Sequence, residues 1–259
     1  MTSSLRRPLI AGNWKMNLGL ADSVKLARGV REGLSSDGGP RGDAVLCVPH
    51  TALSVVAQVL DGGPVLTGAQ NLHWAPEGAY TGEISARQLK DAGARAVIIG
   101  HSERRRSFGE NDAIVRRKLG AALSGGLLAI VCVGETLEER EGHLTWKALR
   151  TQVQGSLKDL APADAAKIAI AYEPVWAIGT GKTASPQIAQ EAHAFLRKEA
   201  SSLYGEGFAA ALRILYGGSV KADNADSLMS QPDIDGALVG GESLKLEPFL
   251  RIIHFNAKD

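Results

Sequence analysis

The sequence predicts an α/β protein, a single (β/α)8 barrel spanning residues 1–259. Three observations carry that expectation. The length of 259 residues fits the usual size of such a barrel, although length alone would not exclude two domains. Short apolar runs rich in β-branched residues alternate with longer segments of helical periodicity, and no low-complexity linker interrupts them. Such alternation indicates βαβ units and a parallel sheet. Polar residues also gather directly after the apolar runs, where barrels of this kind assemble their sites. A doubly wound open sheet would satisfy the same alternation; the barrel is preferred because closure removes the exposed edges.

Taken in order, the strands are expected at Leu9–Trp14, Ala44–Val48, Val65–Ala69, Ala96–Ile99, Ala129–Val133, Lys167–Tyr172, Arg213–Tyr216 and Ala237–Val239. Helix starts fall between them. Ser85 with Gln88, and Thr136 with Glu139, have the spacing of capping boxes, in which side chain and backbone satisfy each other's free groups. Ser185-Pro186 reads as an N-cap followed by proline at the first helical position.

Composition narrows the function classes. Lys and Arg total 29 against 28 Asp and Glu, a formal charge of +1, so nothing draws the chain to nucleic acid. No apolar run approaches the roughly 18 residues that a membrane-spanning helix needs, and no secretory signal core precedes Leu9. Cys47 and Cys132 lie in separate apolar runs without metal-ligand spacing. The expectation is a soluble, unprocessed protein of a reduced, cytoplasmic compartment, with no metal and no membrane partner.

The strand ends carry the chemistry. Strand one exits into Asn13 and Lys15, strand three into Gln70 and Asn71, strand four into His101, Ser102 and Glu103, and strand six into Glu173. Strands seven and eight end in Gly217-Gly218-Ser219 and Gly240-Gly241, glycine pairs that let backbone N–H groups approach a phosphate. A lone Glu173 would more often be a solvated loop residue, a lone His101 a structural hydrogen-bonder, and a lone Lys15 a surface charge. Their convergence on one barrel mouth makes a base, an electrophile and a cation around a small anionic substrate. His50, His73, His143, His193 and His254 have no such company and are assigned structural roles.

Gly179-Thr180-Gly181-Lys182-Thr183 invites a P-loop reading, but the required first glycine is Trp176. Extended to Ala184, the stretch also meets a loose dinucleotide pattern, yet it does not directly follow a strand. A glycine-rich tip between Pro174 and a helix cap reads better as a lid.

Four stretches resemble the triosephosphate isomerase family closely: Gly12 to Asn17, Gly100 to Arg105, Tyr172 to Gly181 and Tyr216 to Ser219. The resemblance runs through the whole chain and implies a TIM barrel. A weaker match, Tyr80-Thr81-Gly82-Glu83, is similar to the family segment that reaches into a neighbouring subunit. The resemblance implies interconversion of dihydroxyacetone phosphate and D-glyceraldehyde 3-phosphate through an enediolate, in glycolysis and gluconeogenesis, without a cofactor. On this resemblance Glu173 is the base and His101 a neutral electrophile at a helix start. Lys15 and Asn13 would stabilise developing charge and help bind the phosphate, and Glu103 would orient Lys15. Gly179, Ser219, Gly240 and Gly241 would hold the phosphate. The lid would comprise Pro174, Val175, Trp176, Ala177, Ile178, Gly179, Thr180, Gly181, Lys182, Thr183 and Ala184. Thr81 would lie at a homodimer interface, beside Asn13 or Lys15 of the partner, and the apolar centre of the Asn71–Glu83 loop agrees.

Two other readings are weaker. An aldolase using a Schiff-base lysine would carry it deep in the barrel, whereas Lys15 lies beyond its strand. A non-catalytic scaffold would have lost the Glu173, His101 and Lys15 set. The chain departs from the family at Glu242, where a small alanine usually follows the glycine pair. That carboxylate is expected to turn outward on the first turn of a short helix, where its charge suits the helix dipole.

Overall fold

The computed structural model describes residues 6–36, 39–177 and 184–256. The chain runs β1 (Leu9–Asn13), α1 (Leu20–Ser36), β2 (Asp43–Val48), α2 (Leu53–Leu60), β3 (Val65–Ala69), α3 (Ala86–Asp91) and β4 (Ala96–Ile99). It continues through α4 (Ser102–Phe108), α5 (Asp112–Ser124), β5 (Leu128–Val133), α6 (Leu137–Glu141), α7 (Thr145–Ser156) and β6 (Ile168–Tyr172). The last part holds α8 (Pro186–Tyr204), α9 (Glu206–Ala211), β7 (Arg213–Tyr216), α10 (Ala225–Met229), β8 (Gly236–Val239) and α11 (Leu246–Ile253). Each strand pairs in parallel with the next, and β8 closes on β1, with Leu9 opposite Asp43 on one side and Gly236 on the other.

The expected strands are all present, with small shifts at their ends. Trp14 lies beyond β1, fully buried. Lys167 closes a 3-10 turn instead of opening β6. Between β4 and β5, between β5 and β6, and between β6 and β7, two helices replace the one that a minimal βαβ unit needs.

The period-two geometry of a strand sends alternate side chains to opposite faces. Leu9, Ala11, Val45, Cys47, Ile98, Ile130, Cys132 and Leu215 fill the barrel interior. Their neighbours Ile10, Leu46, Val97, Val131, Ile170 and Ile214 pack under the helices. Burial on both faces is why these strands read as unbroken apolar runs and not as alternating ones. Ser85 and Gln88 form the expected capping box on α3, Thr136 and Glu139 form the other on α6, and Ser185 Oγ accepts the N–H of Ile188 at the start of α8. No described helix is long and apolar enough to cross a membrane.

Candidate active site

Lys15 leaves β1 with φ of 52°, a left-handed conformation that costs a residue with a side chain about 1–2 kcal/mol. Its neighbours hold it there. The Lys15 N–H donates to Asn13 Oδ1 at 3.0 Å, and the Lys15 carbonyl accepts from Gln70 Nε2 at 2.9 Å. Gln70 also donates to the carbonyl of Cys47 at 3.0 Å. The strand ends β1, β2 and β3 are thereby tied together under one ammonium. Lys15 Nζ sits 2.7 Å from Glu103 Oε1, the orienting pair that the sequence suggests.

His101 follows Gly100, whose φ of 67° turns the chain sharply out of β4. The imidazole is the N-cap of α4, its Nδ1 accepting from the N–H of Glu103 at 3.2 Å. Only a ring unprotonated at Nδ1 can accept there, so the proton lies on Nε2, which faces Glu173 Oε1 at 2.9 Å. The direction of the His101 pKa differs from that predicted by the helix start alone. Burial pushes it down, but the charge and hydrogen bond of Glu173, and then the charge of Glu103, push it further up. A carboxylate in contact outweighs a half-helix of partial charges.

Glu173 is almost fully buried, at 2% exposure. Its backbone N–H donates to the carbonyl of Val133, the last residue of β5, at 2.8 Å. Its Oε2 accepts from the N–H of Ser102 at 2.9 Å. Burial pushes its pKa up, and His101, the Ser102 bond and the Lys15 charge bring it below the usual carboxylate value. The group is therefore ionised. Gly134 permits this close approach of two loops, because a Cβ at that position would overlap the Glu173 carbonyl.

These side chains converge. Asn13, Lys15, His101 and Glu173 line one cavity of about 260 Å³, together with Gly217, Gly218, Ser219, Gly240 and Gly241. Lys221, which sequence reasoning did not place there, and Glu242, which it set beside the glycine pair, complete the charged lining. Among the described residues no group of three or more His, Cys, Asp or Glu side chains could hold a metal ion. A base, a hydrogen-bond donor at Nε2, a cation and a glycine-walled recess around one small cavity suit proton transfer at a carbon next to a carbonyl on a phosphorylated substrate.

The family model described as triosephosphate isomerase matches residues 8–256. The chain belongs to the triosephosphate isomerase family. It is 54% identical over 248 residues to the triosephosphate isomerase of Rhodopirellula baltica, covering 96% of this chain and 97% of that one. It is 52% identical over 253 residues to that of Chloroflexus aurantiacus, covering 97% and 100%. Among solved structures it is similar to the triosephosphate isomerase of Bartonella henselae, at 47% identity and a TM-score of 0.87, covering 96% of this chain and 99% of the other. Membership of the triosephosphate isomerase family makes the protein an isomerase.

The segment that the sequence reads as a lid in this triosephosphate isomerase family member is described only at its two ends. Ile178, Gly179, Thr180, Gly181, Lys182 and Thr183 lie outside the described residues. Val175–Ala177 form a 3-10 turn, and Ala184 is buried at the far end. Sequence reasoning missed what anchors the near end. Glu135, with no exposed surface, accepts from Trp176 Nε1 at 2.8 Å, Arg140 at 3.0 Å and the Tyr172 hydroxyl at 3.1 Å. The available signal was position, since Glu135 follows β5 as Glu173 follows β6.

The Asn71–Glu83 loop stands beside a second cavity of about 460 Å³, lined by Lys15, Met16, Gln70, Glu103 and Phe108 among others. At the loop's base, Asn71 Oδ1 accepts from the buried Lys118 Nζ at 2.6 Å, and Lys118 pairs with Glu110. His73 stacks against Trp74 and Tyr80, each at 4.1 Å between centroids. Thr81 lies exposed at the tip.

Proposed function

We propose that the protein interconverts dihydroxyacetone phosphate and D-glyceraldehyde 3-phosphate by proton transfer. The observation that carries this reading is the single cavity shared by Glu173, His101, Lys15, Asn13 and the two glycine pairs in a chain of this family. Glu173 leaves Ser102, takes a proton from C1 of the ketose and returns it to C2. The electron pair of the broken C–H bond passes into an enediolate between the two steps. As the enediolate forms, His101 Nε2 gives its proton to the C2 oxygen and takes one back from the C1 hydroxyl, so the hydroxyl proton passes from O1 to O2 and the ring is restored, while Lys15 with Asn13 stabilises the negative charge there. Once Glu173 moves to the substrate, the influence that most raises the His101 pKa is withdrawn, which keeps the ring neutral and suited to donation. Backbone N–H groups of Ser219, Gly240 and Gly241, with Gly179 of the lid, hold the phosphate. Closing Pro174 to Ala184 over it excludes water, which would otherwise favour elimination of phosphate from the enediolate.

A coupled assay of glyceraldehyde 3-phosphate formation, with and without EDTA, tests the reading. Turnover indifferent to EDTA is expected; no turnover, or turnover lost with EDTA, overturns it.

The active unit is proposed to be a homodimer. Met16 is 96% exposed and Phe108 67%, and both border the 460 Å³ cavity. The Thr81 loop of a second copy would cover that surface and reach Lys15 or Asn13. Sedimentation of the active protein at micromolar concentration should give the mass of two chains; a fully active monomer contradicts the assembly.

A further inference from the structure

The recess proposed for the phosphate has an acidic residue, Glu242, in its lining. Of the charged side chains lining that cavity, Lys15 and Lys221 are cations, whereas Glu173 and Glu242 are carboxylates. Two against two leaves no net positive charge to meet an anion, and Lys15 is already shared with Glu103. The compensating charge stands just outside the cavity. Lys245 Nζ lies 2.9 Å from Glu242 Oε1, the lysine side chain being 63% exposed and the glutamate 24%.

This pairing is built into the local backbone. Residues 241–244 form a 3-10 turn, and Lys245 follows it directly in an extended conformation. The Lys245 N–H donates to the Glu242 carbonyl at 3.2 Å. Ser243, fully buried, fixes the turn to the cavity wall through its hydroxyl, which donates to the Gly240 carbonyl at 2.7 Å. Glu242 stands in the first turn of the short helix, as the sequence suggests, and lines the cavity while its carboxylate meets the exposed Lys245.

We propose that Lys245 is a positioning residue for the phosphate site, acting through Glu242. By pairing with that carboxylate it offsets the negative charge that Glu242 would otherwise set against the bound phosphate. Lys245 does not line the cavity itself. The inference rests on the phosphate reading above and adds a residue to it. As a general magnitude, an uncompensated unit charge about 7 Å from an anion across a partly exposed surface weakens its binding roughly three- to tenfold. Salt screens it over a Debye length of about 8 Å at physiological ionic strength.

The test compares the full-length protein with Lys245→Met, Lys245→Arg and the double variant Glu242→Gln/Lys245→Met. Lys245→Met should raise KM for dihydroxyacetone phosphate about fivefold at low ionic strength, with kcat within about twofold. The inhibition constant of inorganic phosphate should rise in the same proportion, and both effects should shrink in high salt. Lys245→Arg and the double variant should return KM to the parent value, because one restores the partner and the other removes the stray carboxylate. An unchanged KM in Lys245→Met at low salt overturns the proposal, as does a double variant no better than the single one. If the parent protein does not turn over the substrate, the isomerase reading fails instead. Calorimetric binding of inorganic phosphate to the same four proteins then decides the role of Lys245 by the same pattern.

Discussion

At the amino-terminal end of the strands Arg6 meets Asp235 at 2.5 Å, Arg197 meets Asp233 at 2.5 Å and Asp235 at 2.7 Å, and Arg213 meets Asp43 at 2.8 Å. At the carboxyl-terminal end, Lys15, Glu103, His101 and Glu173 form a chain of contacts that borders open cavities. Both ends are charged, but the lower charges are closed on one another and on backbone carbonyls. Arg197, for example, also donates to the carbonyls of Ala209 and Leu212. The upper charges share partners that a substrate can replace. A partner that can be exchanged is what distinguishes a site from a brace.

Substitutions at each end should therefore fail in different ways. The largest stability loss is expected from Asp235→Ala, which takes a carboxylate partner from both Arg6 and Arg197 and also removes the acceptor of the Ile214 N–H. Breaking one partner of a buried pair costs about 3–5 kcal/mol. The urea midpoint should fall accordingly while kcat per folded molecule holds; an unchanged midpoint would make the lower network dispensable. Lys15→Ala should do the reverse, lowering kcat/KM by about two to three orders of magnitude with cooperative unfolding intact. A collapse of the unfolding transition in that variant would return Lys15 to a structural role. Glu173→Asp retracts the base by about 1 Å and should cost about a hundredfold in kcat, with little change in substrate affinity. Near-parent turnover would remove Glu173 from catalysis.

The smallest effect is one of pH and belongs to the packing between the two ends. His193 is fully buried beside Tyr172 and Tyr216, with Nδ1 3.2 Å from the carbonyl of Asp233. Burial lowers its pKa from 6.5 to about 3. Between those values the unfolded chain binds a proton that the native protein refuses. The contribution of His193 to stability is thus fully present above pH 6.5 and is lost as pH falls toward 3, by at most about 1.4 kcal/mol per pH unit. Denaturation in urea from pH 7 to 4 should show a shallower slope in His193→Gln than in the parent; equal slopes would place the titration elsewhere.

The upper end was the more legible of the two in sequence, for a physical reason. A polar residue placed immediately after an apolar strand run is anomalous within a few residues, so Lys15, His101 and Glu173 stand out locally. The lower network joins residues such as Arg6 and Asp235, 229 positions apart, and each alone resembles an ordinary surface charge. The same limit hid contacts within the upper site. The N–H of Ser102 that holds Glu173 spans 71 positions, and the Gln70 bond to Lys15 spans 55. Strand positions and caps were legible because unbroken apolar runs, capping boxes and proline at N1 are local patterns. The doubled helices were not: the capping box marked the start of α6, but a helix five residues long carries too little periodicity to show that it ends before α7 begins.

Gly134 contributes no functional group, yet only its missing side chain lets the loop after β5 lie against the carbonyl of Glu173. In a mutational scan of this enzyme, position 134 would score like a catalytic residue. Even alanine there would displace the base, while the protein went on folding around its intact lower half. Intolerance to substitution would thus mark two kinds of position at this mouth, those that react and those that must remain empty, and only the assay of folded but idle variants would separate them.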